Sequence, residues 1–290
     1  MKELNGVNLA MQTPFDQNGD IDFPRFEALL ESYIKEGVHG FVLSSGTGQH
    51  AYLTEDECNK LIEVGVKVIN GRANVIAQSS ALNLHEAVRR AKKAEELGVD
   101  ALMVLPPFFE GPTHDDGVFA FYETISQSVN IDIIAYSIPD ATGIEISPDL
   151  FSRLIKLGNV RYVKDSSGDF CKTQALLKVE GGKVLNGADP IAPYVFMAGA
   201  VGAIWGGANI MPKESVELYE LVKMGSYDEA LALWERMFPV IHYIWNNDYI
   251  PAVKAGARMT GFDGGYVRAP VCEISDLDKE MLKNAISYLQ

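Results

Sequence analysis

Cysteine is scarce in this 290-residue chain: only Cys58, Cys171 and Cys272, far apart, odd in number and without a CxxC pair. A disulfide framework and a cysteine-based metal knuckle are excluded, and a reduced, cytoplasmic protein is expected. Basic residues are outnumbered, 25 Lys and Arg against 39 Asp and Glu, giving a formal charge of -14. So acidic a chain repels a phosphate backbone and offers no basic patch to anionic lipid, so nucleic acid is not an expected partner. Long apolar runs are also missing. Nothing reaches the ~18 residues of a membrane span, and the N-terminus has no apolar signal core, so no membrane association is expected. A glycine-rich phosphate loop is absent too: the first β-rich segment runs into Thr13-Pro14-Phe15, which counts against an open dinucleotide-binding sheet.

What the chain does have is apolar residue in quantity, 47% against 22% charged, enough for a large buried core. Eight short β-rich segments recur at intervals too long for hairpins: 8–12, 40–45, 74–79, 101–105, 131–137, 161–164, 183–186 and 203–205. The gaps carry helical periodicity over 22–36, 54–70, 83–97, 117–129, 147–157, 169–179 and 190–198. Thr54-Glu55-Asp56-Glu57 reads as a capping box, and Gly37, Gly98 and Gly158 fall just past helix ends. Strand and helix alternating eight times predict a (β/α)8 TIM barrel. Further helices over 212–224, 227–246, 250–259 and 276–289 exceed what a barrel needs. The expected organisation is a barrel over 1–224 and a C-terminal helical extension over 225–290 packed on it.

In such a barrel the chemistry collects past the C-terminal ends of the strands. Three groups stand there. Lys164 ends the sixth strand, ahead of Asp165-Ser166-Ser167-Gly168-Asp169. A partly buried amine at this place has its charged form disfavoured and can attack a ketone, whereas an ordinary lysine would simply be solvated. Tyr136 ends the fifth strand in Tyr136-Ser137-Ile138-Pro139, where a phenol can relay protons to an amine adduct or merely plug the rim. Strands five and six are neighbours, so Tyr136 and Lys164 are expected to meet. Ser44-Ser45-Gly46-Thr47-Gly48-Gln49 after the second strand lets backbone N–H groups converge on a carboxylate, or is only a tight turn.

The Gly-Thr-Gly turn, the Tyr-X-Ile-Pro segment with Gly143, the Val-Lys-Asp-Ser-Ser-Gly-Asp segment, Asn186-Gly187-Ala188-Asp189 and Gly202-Ala203-Ile204 occur in an order that resembles the dihydrodipicolinate synthase/N-acetylneuraminate lyase family over nearly the whole chain. The resemblance implies a class I pyruvate-type aldolase. Lys164 would form a Schiff base with a 2-oxo acid and Tyr136 would relay protons. Thr47, with the backbone of Gly46 and Gly48, would hold the pyruvate carboxylate, while Gly187 and Ile204 would line the nucleophile side, with Ser166 nearby. The implied partners are pyruvate and an aldehyde. No metal and no cofactor beyond the covalent imine on Lys164 is implied, and the resemblance also suggests a homotetramer built as a dimer of dimers.

The chain departs from the family pattern at four places. Gly46 stands where a hydroxyl residue is usual, and Gln49 where glutamate is. Phe109 takes the place of the synthase branch's interface tyrosine, and Ala141 that of an arginine binding the aldehyde's carboxylate. These departures count against dihydrodipicolinate synthesis itself. Leu53-Thr54 resembles the sugar-acid branches, and Trp205 the hydratase-aldolases. Phe108, Phe109 and Trp205 are expected to form an apolar pocket for a bulky aldehyde. A lyase acting on a 2-keto-3-deoxy sugar acid or an aryl-substituted 2-oxo acid is the leading expectation. A dehydratase using the same imine, the synthase itself, and a non-catalytic 2-oxo acid sensor are the alternatives. His114-Asp115-Asp116 is read as an exposed acidic loop, His39 as structural, and Asp165 and Asp169 as caps for the helix that follows.

Overall fold

The computed structural model describes residues 2–289. Eight strands, β1 (Gly6–Ala10), β2 (Gly40–Leu43), β3 (Asn74–Gln78), β4 (Ala101–Val104), β5 (Asp132–Ser137), β6 (Tyr162–Asp165), β7 (Lys183–Asn186) and β8 (Gly202–Trp205), pair in parallel in chain order. β8 pairs back onto β1, with Asn8 opposite Ile204, so the sheet closes into the expected TIM barrel. Strands covered on both faces need apolar side chains throughout, which is why they read as continuous runs rather than alternating patterns. The alternation shows in where the side chains go. Ala10, Val42, Ile76, Met103, Ile134, Tyr162, Leu185 and Ile204 fill the barrel, while Val7, Leu9, Phe41, Leu43, Val163, Ala203 and Trp205 pack outward under the helices. β1 lies two residues earlier than the sequence reading placed it. Gly6 fixes this start, because a Cβ there would sit 2.4 Å from the His39 ring, leaving room only for glycine.

The outer ring consists of α1 (Phe23–Lys35), α2 (Glu55–Ile69), α3 (Leu84–Glu96), α4 (Asp115–Ser126), a short α5 (Pro139–Thr142), α6 (Pro148–Leu154), α7 (Phe170–Leu176), α8 (Ala192–Met197) and α9 (Pro212–Met224). Local chemistry starts these helices. Asp22, Asn83, Ser147 and Asp169 each accept from a first-turn N–H, and Thr54 and Glu57 form the reciprocal capping box. Asp169 is thus a cap as expected, whereas Asp165 is a strand residue whose carboxylate is held by Ser167, Lys172 and Thr173. Gly37, Gly98 and Gly158 have φ of +84°, +89° and +86°, the left-handed backbone a helix end calls for. α5 had no counterpart in the sequence reading, since one turn is too short to show a period.

After α9 the chain adds α10 (Tyr227–Trp245), α11 (Tyr249–Met259) and α12 (Asp276–Ile286), which pack on one another, with α10 also against α9. The junction of α10 and α11 reaches over the C-terminal end of the barrel, and the segment between α11 and α12 returns across the loop that follows β1, where Tyr266 bridges to Phe15.

Candidate active site

Tyr136 on β5 and Lys164 on β6 are register partners, so the two-residue alternation of neighbouring strands turns both toward the barrel axis. The Lys164 residue is only 6% exposed, and its Nζ lies 4.0 Å from the centroid of the Tyr136 ring. Contact is thus with the face of the ring, a favourable seat for an ammonium. Among the described residues neither Lys164 Nζ nor the Tyr136 hydroxyl makes an internal hydrogen bond. The next cation along shows the contrast: Lys172 Nζ is held by Asp165 at 3.2 Å and Glu145 at 3.4 Å. A lysine buried without a carboxylate partner is unusual, because burial of charge ordinarily requires pairing.

Room for this amine comes from Gly187, just past β7. A Cβ there would lie 2.7 Å from Lys164 Cε and 2.1 Å from Ser166 Oγ, so any side chain would displace both. Ser166 Oγ is itself buried without a hydrogen-bond partner among the described residues, although a hydroxyl in that position ordinarily finds one.

The turn after β2 is anchored from below. Ser45 Oγ donates to the Met11 carbonyl at 3.1 Å and accepts from Gly48 N–H at 3.2 Å. Gly48 therefore faces β1: a Cβ there would meet Met11 O and Thr13 Oγ1 at 2.7 Å, and its N–H is already taken. It does not reach the cavity, contrary to the sequence reading. Gly46 and Thr47 do line it, and among the described residues their N–H groups have no acceptor within the protein. Around Gly46 the space is open, since an added Cβ would touch nothing within 4 Å.

These groups share a cavity of about 440 Å³ at the C-terminal mouth, lined also by Ser166, Gly187 and Ile204. Two other expected residues lie elsewhere. Trp205 follows Ile204 on β8 and so points the opposite way, fully buried between barrel and helices against Phe196 and Trp234. Phe109 is 69% exposed and outside the cavity, and Phe108 is likewise at the surface. The predicted Phe108, Phe109 and Trp205 pocket does not form.

The sequence reading missed a different wall. Trp245 at the end of α10 and Tyr249 at the start of α11 close the cavity from above, and Asp189 and Asp140 complete it. The Tyr249 hydroxyl donates to Asp189 Oδ2 at 2.6 Å, and the Gly207 N–H donates to the same oxygen at 3.2 Å. Burial pushes the Asp189 carboxyl up to about 6, against the opposing pull of the Tyr249 hydroxyl, the Gly207 N–H and the Lys164 charge. Burial, and then the neighbouring Asp189, hold the Tyr249 phenol well above its ordinary value. Gly206 makes the phenol's position possible, since a Cβ there would lie 2.3 Å from the Tyr249 oxygen. Asp189 stands three residues past the end of β7, in the same short segment as Gly187, and that nearness to a strand end is the signal the sequence offered. Trp245 and Tyr249 follow the last strand by 40 residues or more, where no period points back to the mouth.

A sequence profile of the Dihydrodipicolinate synthetase family matches residues 3–289. The chain belongs to that family. Its relatives include the 4-hydroxy-tetrahydrodipicolinate synthase of Thermodesulfovibrio yellowstonii, 34% identical over 285 residues, covering 98% of this chain and 97% of that one. The protein of the same name from Clostridium novyi is 31% identical over 289 residues, covering 99% and 97%. Among solved structures, a chloride-inhibited dihydrodipicolinate synthase from Acinetobacter baumannii complexed with pyruvate superposes with a TM-score of 0.95 at 27% identity, covering 99% of both chains. That of Aquifex aeolicus gives 0.92 at 29%, covering 98% and 97%. As a member of the dihydrodipicolinate synthetase family this chain is a pyruvate-dependent lyase, which sets aside the non-catalytic sensor.

Proposed function

We propose that the chain makes or breaks a carbon-carbon bond between pyruvate and an aldehyde through an imine on Lys164. The observation that supports this reading is the amine itself, buried at the barrel mouth with no carboxylate partner among the described residues, against Tyr136 and in one cavity with the N–H groups of Gly46 and Thr47. The turn holds the 2-oxo acid's carboxylate, and Thr47 adds its hydroxyl. Lys164 Nζ attacks C2, the carbinolamine oxygen leaves as water after proton transfer through Tyr136, and the protonated imine draws electrons from C3. Loss of a C3 proton gives an enamine, which attacks the aldehyde carbon. In cleavage the same electrons return to the imine as the aldehyde departs.

Asp140 and Asp189 in the cavity wall support an aldehyde portion that is hydroxylated and carries no carboxylate, such as that of a 2-keto-3-deoxy sugar acid. Asp189 accepts from a substrate hydroxyl with the oxygen not engaged by Tyr249. The second reading is 4-hydroxy-tetrahydrodipicolinate synthesis, favoured by the names of the relatives. It would need a cation for the aldehyde's carboxylate, yet Ala141 stands at the position the resemblance gives to arginine, beside Asp140. The reading also carries a cytoplasmic homotetramer, with the exposed Phe109 at the position the resemblance gives to a subunit interface. Light scattering tests that assembly.

Incubation with pyruvate and borohydride, followed by peptide mass spectrometry, should give one reduced adduct, on Lys164. An adduct on another lysine would overturn the assignment. Tyr136→Phe should lower kcat by ~10²- to 10⁴-fold, and near-normal turnover would remove the phenol from proton transfer. Product analysis separates the lyase, which releases pyruvate, from a dehydratase, which keeps the carbon skeleton whole.

A further inference from the structure

Gln49 closes the turn that carries Gly46 and Thr47, and it does so in a conformation a glutamine rarely adopts, with φ of +62°. Such backbone persists only where the surroundings over-determine it. Here the side-chain amide does the fixing. Gln49 Nε2 donates to the Arg268 carbonyl at 2.9 Å, and the Arg268 N–H donates to Gln49 Oε1 at 3.0 Å, so the amide is paired to the backbone as a neighbouring strand would be. Arg268 is no loose end. Its guanidinium forms a two-pronged pair with Glu57 at 2.8 and 2.6 Å, donates to the carbonyls of Gly19 and Tyr52, and stacks 4.5 Å from the Phe15 ring centroid. The strap that delivers it, residues 263–268, is tied to the first βα loop: the Phe15 N–H donates to the Gly264 carbonyl and the Tyr266 N–H to the Phe15 carbonyl, and the buried Lys254 Nζ donates to the carbonyls of Gly264 and Tyr266. Glu57 also caps α2 through Thr54, so one carboxylate joins the start of that helix to the strap.

We infer that this C-terminal strap sets the geometry of the 2-oxo acid carboxylate site, with Gln49 as the positioning residue through which it acts. This rests on the turn binding the carboxylate, as proposed above. The amide fixes the backbone two residues past Thr47, while Ser45 stands immediately before the free N–H groups and holds the intervening Gly48 N–H, so the pair is presented by a turn held at both ends. Removing one anchor lets the N–H groups diverge without touching the amine.

The test is the pyruvate concentration giving half-maximal borohydride trapping at Lys164, with hydroxyacetone as a ketone that has no carboxylate. Gln49→Gly removes the amide and also relieves the left-handed strain, so a purely conformational role would leave it neutral or improved. The isosteric Gln49→Glu keeps the volume and one acceptor but sets a carboxylate oxygen against the Arg268 carbonyl. Half-saturating pyruvate should rise about tenfold in Gln49→Gly and about threefold in Gln49→Glu, while hydroxyacetone trapping changes by less than about twofold. Unchanged half-saturation by pyruvate in both variants overturns the inference. So does an equal loss for both ketones, which would assign Gln49 to stability alone. Failure of the wild-type protein to trap pyruvate on Lys164 is a different outcome and sinks the parent reading.

Discussion

The two ends of the barrel are built to opposite rules. At the N-terminal end Leu4 and the Tyr162 ring plug the axis, and the charges around them are matched. Arg161 grips the buried Asp132 with two hydrogen bonds of 2.7 and 2.6 Å, while Glu3 is shared by Lys183, Arg161 and the Tyr162 hydroxyl. Asp132 accordingly pulls the Arg161 guanidinium above its ordinary value. At the C-terminal end several polar groups have no hydrogen-bond partner among the described residues: the Lys164 amine, Ser166 Oγ and the N–H groups of Gly46 and Thr47. β6 spans the contrast in two residues, since Tyr162 and Lys164 lie on the same inward face one layer apart. Where charges are paired the structure holds itself, and where polar groups are withheld from pairing at the mouth they remain available to a ligand.

That comparison can be broken by mutations that move activity and stability separately. The largest expected effect is at the open end: Lys164→Ala should lower turnover by at least about 10⁴-fold and abolish the borohydride adduct, with melting unchanged or raised because an unpaired buried amine is lost. Turnover within tenfold of wild type would refute the mechanism. Next is Gly187→Ala. Its methyl group must displace Lys164 Cε and Ser166 Oγ, so kcat should fall about 10²-fold while circular dichroism stays native. At the closed end Arg161→Ala leaves the Asp132 carboxylate buried and unpaired, which should cost about 3–5 kcal/mol in denaturant unfolding with kcat within twofold of wild type. A comparable loss of kcat would show that the two ends are not independent.

The smallest effect belongs to Lys254, which lies among Glu273, Arg258, Asp263 and Arg25. Burial pushes it down to about 7. Above that pH the folded protein holds a neutral amine, whereas the unfolded chain binds a proton up to ~10.4. Its contribution therefore grows as pH rises from 7 toward 10.4, by at most ~1.4 kcal/mol per pH unit, and is lost as pH falls through 7. Thermal unfolding followed from pH 7 to 9 should show a steeper rise for the wild type than for Lys254→Met. Parallel slopes would mean that the amine stays charged in the fold.

The barrel was legible because its determinants are local. Capping residues, glycine stops and eight apolar runs each declare themselves within a few positions. Lys164 and Tyr136 could be picked out as candidates for a related reason, since each stands at a strand end, where the fold sends residues to the mouth, whereas Thr47 and Gly187 were set beside them by the family resemblance. Trp205 and Trp245 show where this breaks down. Trp205 lies one residue past Ile204, and a single step along a strand reverses the face. Trp245 belongs to an extension whose docking on the barrel is decided by packing between distant segments, and nothing in its own neighbourhood announces the cavity. Asp189 stands only three residues past β7, but its weight comes from Tyr249, a partner 60 residues away.

The cavity draws its floor from Ala10 and its roof from Ile250, so it takes most of the polypeptide to enclose it. A nascent chain halted at residue 244 already carries Lys164, Tyr136 and the Gly46-Thr47 turn, yet lacks Trp245, Tyr249 and the Arg268 backbone that grips Gln49. Vectorial synthesis on the ribosome thus delivers the Lys164 nitrogen well before the compartment that shelters it.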